Sequence, residues 1–312
     1  MIRFAYVISA YRAPAMLGRL VDALDVDAPP FLIHVDAKTP PAVHEELVAA
    51  VRRPNVEVLP RHTCHWGGFG HVEATLKGIR RLLDSGRAFD YLFLLSGQDY
   101  PIKSDAHVRR ELRELGGRSF CLFFPLPAPW RGHGGLDRLR WWHFRRRPLH
   151  VRLPRLRRLP VDLRPYGGSA YWCLSHVAVE TVHEYVDANP WYVDYFRHVD
   201  IPDEIFFQTI LGNTRERDRV VDRRLHYTEW SRQPAPAVLT TEDFDALAAS
   251  RCLFARKFDP AVDARVLDLV DERTRRRTGS ATSLERTGGS QALLAFDDVL
   301  PLADTLRAGL DR

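Results

Sequence analysis

Tyr91-Leu92-Phe93-Leu94-Leu95-Ser96-Gly97-Gln98-Asp99-Tyr100-Pro101-Ile102-Lys103 sets an apolar run, a glycine turn and a single carboxylate end to end. The apolar run reads as a strand, and the turn after it presents Asp99 at the strand's carboxyl end. Two roles are open to that carboxylate: contact with a ligand, or capping of the next helix. Around this segment the first 125 residues alternate short β-rich runs with helical periodicity, the pattern of an α/β fold with a mixed, mostly parallel sheet flanked by helices. Strands are predicted over residues 3–9, 31–35, 56–59, 91–96 and 119–124. Helices are predicted over 14–24, 41–51, 70–83 and 105–115, two of them with proline near the first turn. In open sheets of this kind ligands gather at the carboxyl ends of the strands. Three polar clusters fall there, at residues 9–12, 34–38 and 96–103.

The second half is less regular. Residues 131–165 are arginine-rich and punctuated by proline, which predicts a loop or mobile excursion. Beyond it the pattern predicts strands over 169–174 and 220–227 and helices over 177–186, 203–211, 241–249 and 260–272. Residues 273–290, rich in Arg, Thr, Ser and Gly, predict a solvated linker, followed by a short amphipathic segment over 292–310. The domain reading is therefore one catalytic unit over 1–273 and a tail over 274–312.

With 312 residues, 45% of them hydrophobic, the chain is large enough to bury an extensive core, which excludes fibrous and disordered classes. The formal charge of +5 favours anionic partners without choosing among them. Cys64, Cys121, Cys173 and Cys252 form no CxxC pair and suit reduced core thiols. Residues 2–9 are too short for a signal peptide, and no run approaches the ~20 apolar residues of a membrane span. The expected location is cytoplasmic, with peripheral membrane contact as an extension of it. Four of the 45 basic residues are lysine (Lys38, Lys77, Lys103 and Lys257), leaving 41 arginines.

Seven stations together resemble glycosyltransferase family 14, the core-2/I-branching β-1,6-N-acetylglucosaminyltransferases and the peptide O-xylosyltransferases. They are Ala5-Tyr6-Val7-Ile8, Ile33-His34-Val35-Asp36, Trp66-Gly67-Gly68, the run from Ser96 to Ser104, Gly168-Ser169-Ala170-Tyr171-Trp172, Pro202-Asp203-Glu204 and Leu253-Phe254-Ala255-Arg256-Lys257-Phe258-Asp259. The resemblance implies a GT-A-like nucleotide-sugar-binding fold. It also implies an inverting transfer from UDP-GlcNAc or UDP-xylose to a glycan, lipid or protein hydroxyl, with no metal and no other cofactor. An Asp-x-Asp pair would suit a divalent ion, but Gly97-Gln98-Asp99 offers one carboxylate.

Inversion needs one general base to take the acceptor's proton. Glu204 fills that role by resemblance; read as residues alone, Asp203 and Glu204 equally suit the first turn of an apolar helix, and Asp203 is assigned to capping. The departing diphosphate then needs fixed cations. The resemblance gives this to Lys257 with Arg256, and a retained lysine in an arginine-biased chain suits a compact phosphate contact. It further places Asp36 beside uracil and ribose, Val7 and Asp99 in or near the donor pocket, and Trp66 and Trp230 as faces for sugar rings or as core. Two departures stand out: Tyr11 occupies a position where relatives usually carry histidine, and Gln233-Pro234-Ala235 replaces a second phosphate-binding arginine, for which Arg232 is the substitute.

The stretch with Arg138, Arg140, Arg145, Arg146, Arg147, Arg152, Arg155, Arg157 and Arg158, interleaved with Trp141, Trp142 and Phe144, falls on the acceptor side. It reads as a lid or acceptor platform. Taken alone it also suits a nucleic-acid or anionic-membrane binding protein, which is the rival reading; under the enzyme reading no nucleic acid is expected.

Overall fold

The computed structural model describes residues 1–146, 149–153, 157–160, 162–230 and 236–284. Its strands in chain order are β1 (Phe4–Ala10), β2 (Phe31–Val35), β3 (Val56–Val58), β4 (Tyr91–Ser96), β5 (Asp99–Pro101), β6 (Ser119–Cys121), β7 (Phe123–Pro125), β8 (Trp142–Arg146), β9 (Leu149–Leu153), β10 (Tyr166–Gly168), β11 (Cys173–Ser175), β12 (Val220–Asp222), β13 (His226–Thr228) and β14 (Phe254–Arg256). Seven of them form the central sheet in the order β12-β6-β11-β4-β1-β2-β3. All its pairings are parallel except those of β11, which runs against β4 and β6. This is the mixed, mostly parallel sheet flanked by helices that the sequence predicts.

Alternation along β1 explains how the sheet is covered on both sides. Phe4, Tyr6 and Ile8 face the helix Pro14–Leu24 and the C-terminal segment, where they pack with Leu17, Leu20, Phe93 and Phe254. Ala5 and Val7 face the helix Gly70–Asp84 and pack with Val72, Ile79, Leu92 and Leu94. Tyr6 stacks between Phe31 and Phe93, with ring centroids 5.0 and 5.4 Å away. A fully buried sheet explains why these strands read as nearly continuous apolar runs.

A second sheet, β13-β14-β5, positions the site. β5 follows directly from the turn after β4 and pairs antiparallel with β14, so that Asp99 lies opposite Arg256. The strand predicted over 220–227 is in fact two: β12 extends the central sheet and β13 joins this second one. The predicted strand over 119–124 likewise divides, the one predicted over 169–174 begins only at Cys173, and β7 pairs with β10, which precedes that strand, apart from the main sheet. That pairing demands glycine at 168, where an added Cβ would lie 1.7 Å from the Leu122 carbonyl oxygen.

Three predicted segments differ further. The stretch 131–165 contains two short helices, Arg131–Gly134 and Leu136–Arg140, and the antiparallel hairpin β8–β9 rather than irregular loop alone. The helix predicted over 203–211 is broken: Pro202–Glu204 is a separate 3-10 turn, and the α-helix Phe206–Gly212 follows with all seven residues buried. The last described helix, Arg265–Leu284, runs straight through position 273, so the segment predicted as a linker is helical up to 284. The amphipathic segment 292–310 lies outside the described residues. Cys64, Cys121 and Cys173 are buried, Cys252 partly so, and all four are free thiols. Among the described residues no helix is long and apolar enough to cross a membrane.

Candidate active site

Parallel strands deliver their carboxyl ends to one edge, and the sequence's polar clusters lie there. From the end of β1 come Tyr11 and Arg12, from β2 Asp36, and from β4 the turn to Asp99. Asp99 is fully buried. Its Oδ2 accepts the Ser96 amide at 2.7 Å, and its Oδ1 accepts the Ser96 hydroxyl at 2.5 Å and Arg256 Nε at 3.1 Å. The ring Nε2 of His226 lies 3.0 Å from Oδ2. Burial alone would raise this carboxyl; His226, Arg256 and Ser96 outweigh it and hold it down to about 2. Asp99 is therefore an ionised anchor whose two oxygens are already occupied by cations and donors. It fixes Arg256 rather than lining an open surface.

Arg256 in turn lies 4.5 Å over the Tyr171 ring, and Lys257 follows it. Lys257 Nζ has no hydrogen bond or ion pair among the described residues. Burial first, then the charges of Arg256 and Arg12, depress its pKa. Arg12 reaches only a long ion pair with Asp259, at 3.4 Å. Arg12, Arg256 and Lys257 thus concentrate positive charge that a bound anion would relieve. The two chain ends are stitched together by Gln98, whose carbonyl accepts the Phe258 amide at 2.9 Å and whose Oε1 accepts the Tyr11 hydroxyl at 3.5 Å.

On the opposite flank stands the acidic turn. Ile201, held at φ 48° with its amide donating to Gly67 at 2.9 Å, turns the chain sharply into Pro202-Asp203-Glu204. Gly67 suits this approach: its φ is 70°, and an added Cβ would meet the Arg145 guanidinium at 2.8 Å. Glu204 Oε2 accepts Arg138 Nη1 at 2.7 Å, and Arg138 lies 4.4 Å over Trp130. Burial, then the neighbouring Asp203, raise the Glu204 pKa, while Arg138 restrains the rise. Asp203 is pushed up to about 6, chiefly by burial. It makes no capping bond, and its Oδ1 is buried with no partner. The capping role expected of Asp203 is therefore not the one it plays.

Tyr171 joins the two flanks. Its ring rests against Arg256, and Asp99 and Asp203 both lie close enough to add to a phenol pKa pushed up to about 12, mainly by burial. Glu204 and Lys257 thus belong to one continuous polar cluster rather than to opposite sides of the sheet.

The remaining predicted residues divide. Asp36 ends β2 and accepts from the Lys38 amide at 2.9 Å, the Lys38 ammonium at 2.5 Å and the Cys64 amide at 3.3 Å. Trp66 is 63% exposed with Arg145 stacked 4.7 Å away, and Trp230 is 45% exposed, two residues past Thr228, which pairs with Arg256. Both present faces to solvent rather than core. Val7 is not brought to the site: it is wholly buried, and a Cβ on Gly78 would touch it at 2.7 Å. Arg232 lies outside the described residues. A cavity of about 450 Å³ bordered by Arg19, Tyr100, Asp105 and Asp271 contains none of these groups.

Sequence reasoning missed Arg138 as the partner of Glu204, Tyr171 and His226 as links, and Arg12 as a third cation. Arg12 and Arg138 were legible only as members of polar clusters, because nothing in a linear pattern assigns their partners. Much of the basic stretch is consumed internally: Arg138 by Glu204, Arg145 by Asp200 at 2.6 Å, Arg152 by the Trp141 ring at 4.0 Å and Arg157 by the Tyr195 carbonyl at 2.5 Å.

An acidic turn and a cationic cluster thus meet near the carboxyl ends of a mostly parallel sheet. The chain belongs to the core-2/I-branching enzyme family, whose model, described as Core-2/I-Branching enzyme, matches residues 4–248. It is 28% identical to xylosyltransferase oxt of Drosophila melanogaster over 87% of this chain and 33% of that protein. It is also 28% identical to human xylosyltransferase 2 over 86% and 33%. The chain spans about a third of the length of the curated relatives it matches. Among solved structures, a nucleoside-diphosphate-sugar pyrophosphorylase from Vibrio cholerae RC9 is similar over 60% of this chain and 80% of its own, at 11% identity and a TM-score of 0.27.

Proposed function

We propose that this glycosyltransferase moves xylose or N-acetylglucosamine from a UDP-sugar to a hydroxyl acceptor with inversion, using Glu204 as general base and no metal at the diphosphate. The observation that carries the reading is the pairing of two flanks around Tyr171: a carboxylate of raised pKa on one, and Arg12, Arg256 and Lys257 on the other. Glu204 removes the acceptor's proton as its oxygen attacks the anomeric carbon. Arg138 keeps Glu204 ionised and aimed. As the bond to the diphosphate breaks, Lys257 and Arg256 meet the charge that develops on the leaving group. Asp99, paired with Arg256, serves as the strut that holds Arg256, which supports transfer without an ion there. Asp36, at the end of β2, is the group for the uridine, and Trp66 and Trp230 offer faces to sugar rings.

A second reading of the base rests on Asp203, whose carboxyl is pushed up to about 6 and whose Oδ1 has no partner. In it Asp203 takes the proton and Glu204 orients Arg138. The xylosyl relatives favour xylose as the donor sugar; the branching-enzyme family favours N-acetylglucosamine.

The test is a panel of UDP-sugars and other nucleotide sugars, scored by slow hydrolysis and by rise in melting temperature, since a ligand that binds only the native state raises its apparent stability. One UDP-sugar standing out by both measures is the expected result. Equal indifference to every nucleotide sugar would overturn the assignment.

A further inference from the structure

We propose that His143, His150 and Asp200 form a binding site for a divalent transition-metal ion of zinc type, separate from the diphosphate cluster and clamping the β8–β9 hairpin to the segment that leads into Pro202-Asp203-Glu204.

His143 and His150 lie on the same face of the hairpin, on neighbouring strands and diagonally placed, since His143 pairs with Arg152 and His150 with Arg145. His143 Nδ1 and His150 Nε2 lie 3.1 Å from each other, and Asp200 Oδ1 lies 3.8 Å from His150 Nε2. All three residues offer ligand atoms within 4.8 Å of one another. A tetrahedral zinc ion with bonds of about 2.0–2.1 Å holds its ligand atoms about 3.3 Å apart, so small side-chain rotations close the site. Two histidines and a carboxylate leave a fourth position for water, on the side where His150 is exposed.

The tautomers sharpen the argument. His143 Nε2 sits 3.3 Å from the Asp137 carbonyl oxygen, an acceptor only, so this nitrogen carries the proton and Nδ1 offers its lone pair. Something with positive character must then lie between His143 Nδ1 and His150 Nε2: a proton on His150, or an ion. The surroundings match a metal site in a further respect. Ligating histidines donate their far nitrogen to a carbonyl, and ligating carboxylates are themselves held by hydrogen bonds. Asp137 does the first here, and Arg145 does the second by donating to Asp200 Oδ1 at 2.6 Å.

Another trio, His34, His62 and Cys64, is also close enough to share an ion, but His62 uses Nε2 on the Gly70 carbonyl at 2.8 Å and Nδ1 against Lys77 at 3.1 Å. A cation there would have to displace an ammonium. The His143 trio has no ammonium on its two ring nitrogens; Arg145 donates to Asp200 Oδ1, and the ion would take that carboxylate's remaining lone pairs.

The consequence is mechanical. The His143 amide donates to the His198 carbonyl at 3.0 Å and the Asp200 amide to the Arg138 carbonyl at 3.2 Å, so the ion would tie hairpin, Arg138 helix and acidic turn into one unit. It would touch neither donor nor diphosphate.

The full-length chain, stripped with EDTA and titrated with Co²⁺ and Zn²⁺, tests this. The expected result is one equivalent of Co²⁺ giving the visible bands of a tetrahedral nitrogen/oxygen site without a thiolate charge-transfer band, displacement by Zn²⁺, and a higher melting temperature with Zn²⁺. His150 is exposed, so His150→Ala should fold as the parent does while its Zn²⁺ affinity falls by about a hundredfold. Three outcomes would overturn the site: no Co²⁺ spectrum and no Zn²⁺ effect in the folded parent, binding unchanged in His150→Ala, or a thiolate band that vanishes in Cys64→Ser.

Discussion

Arg138 Nη1 donates to Glu204 Oε2 at 2.7 Å, and the two residues stand 66 positions apart in the chain. The pair gives the carboxylate a fixed direction and opposes the rise in pKa that burial and Asp203 impose. A base must be ionised to work, so in the proposed mechanism Arg138 sets the pH at which Glu204 begins to function.

Replacing Glu204 by Gln keeps the shape and removes the base. Turnover should fall by about 10²–10⁴-fold while UDP affinity stays within a few-fold. Steady-state kinetics beside calorimetric UDP titration checks both. If instead Asp203→Asn abolishes turnover and Glu204→Gln keeps most of it, the base is Asp203.

The pH profile follows from the same pair. Because the Glu204 pKa lies above the ordinary glutamate value, the acid limb of kcat/KM should fall above that value. Arg138→Met removes a charge that lowers the pKa, so the limb should move to higher pH. A limb that stays in place would show that Arg138 does not act through Glu204.

Asp203 makes a prediction about stability. Its carboxyl is pushed up from 3.8 to about 6 in the fold, so the native state holds its proton more tightly than the unfolded chain does. Stability is then lost as pH rises from about 4 through about 6. Asp203→Asn should recover it, by on the order of 1–3 kcal/mol at pH 7.5 and by little at pH 4. Urea unfolding at the two pH values measures the difference.

Asp99 works in the opposite sense. Held down to about 2, it stabilises the fold above the unfolded value near 3.8, and the gain is lost as pH falls through about 2. Asp99→Asn leaves Arg256 without its buried partner and should cost about 3–5 kcal/mol at neutral pH. Denaturant melts of the variant check this.

Lys257→Ala should weaken UDP-sugar binding by about tenfold to a hundredfold, the effect of losing one charged phosphate contact, and Lys257→Arg should restore little of it. Because fixed cations serve the leaving group in the proposed mechanism, saturating EDTA should leave turnover at the diphosphate intact. Strict dependence on Mn²⁺ or Mg²⁺ would make Asp99 a metal ligand.

The amino-acid sequence determined the sheet and the edge that carries chemistry. Apolar runs such as Tyr91–Ser96, glycine at the turn after it and proline at helix starts are local instructions, and each acts within a few residues. The acids of residues 203–204 and the pair Arg256-Lys257 were singled out through the family resemblance of their motifs. What only the tertiary structure decided is which charge meets which. Asp99 became a buried anchor because β14 pairs with β5 and brings Arg256 across from it. Asp203 lost its capping role because Ile205 separates its 3-10 turn from the helix that follows. Arg138, Arg145 and Arg157 turned inward because packing brings Glu204, Asp200 and the Tyr195 carbonyl within their reach. Local propensity fixes backbone conformation over one or two turns; ion pairs between residues tens of positions apart depend on packing that brings distant elements within about 3 Å, and no linear period encodes that distance.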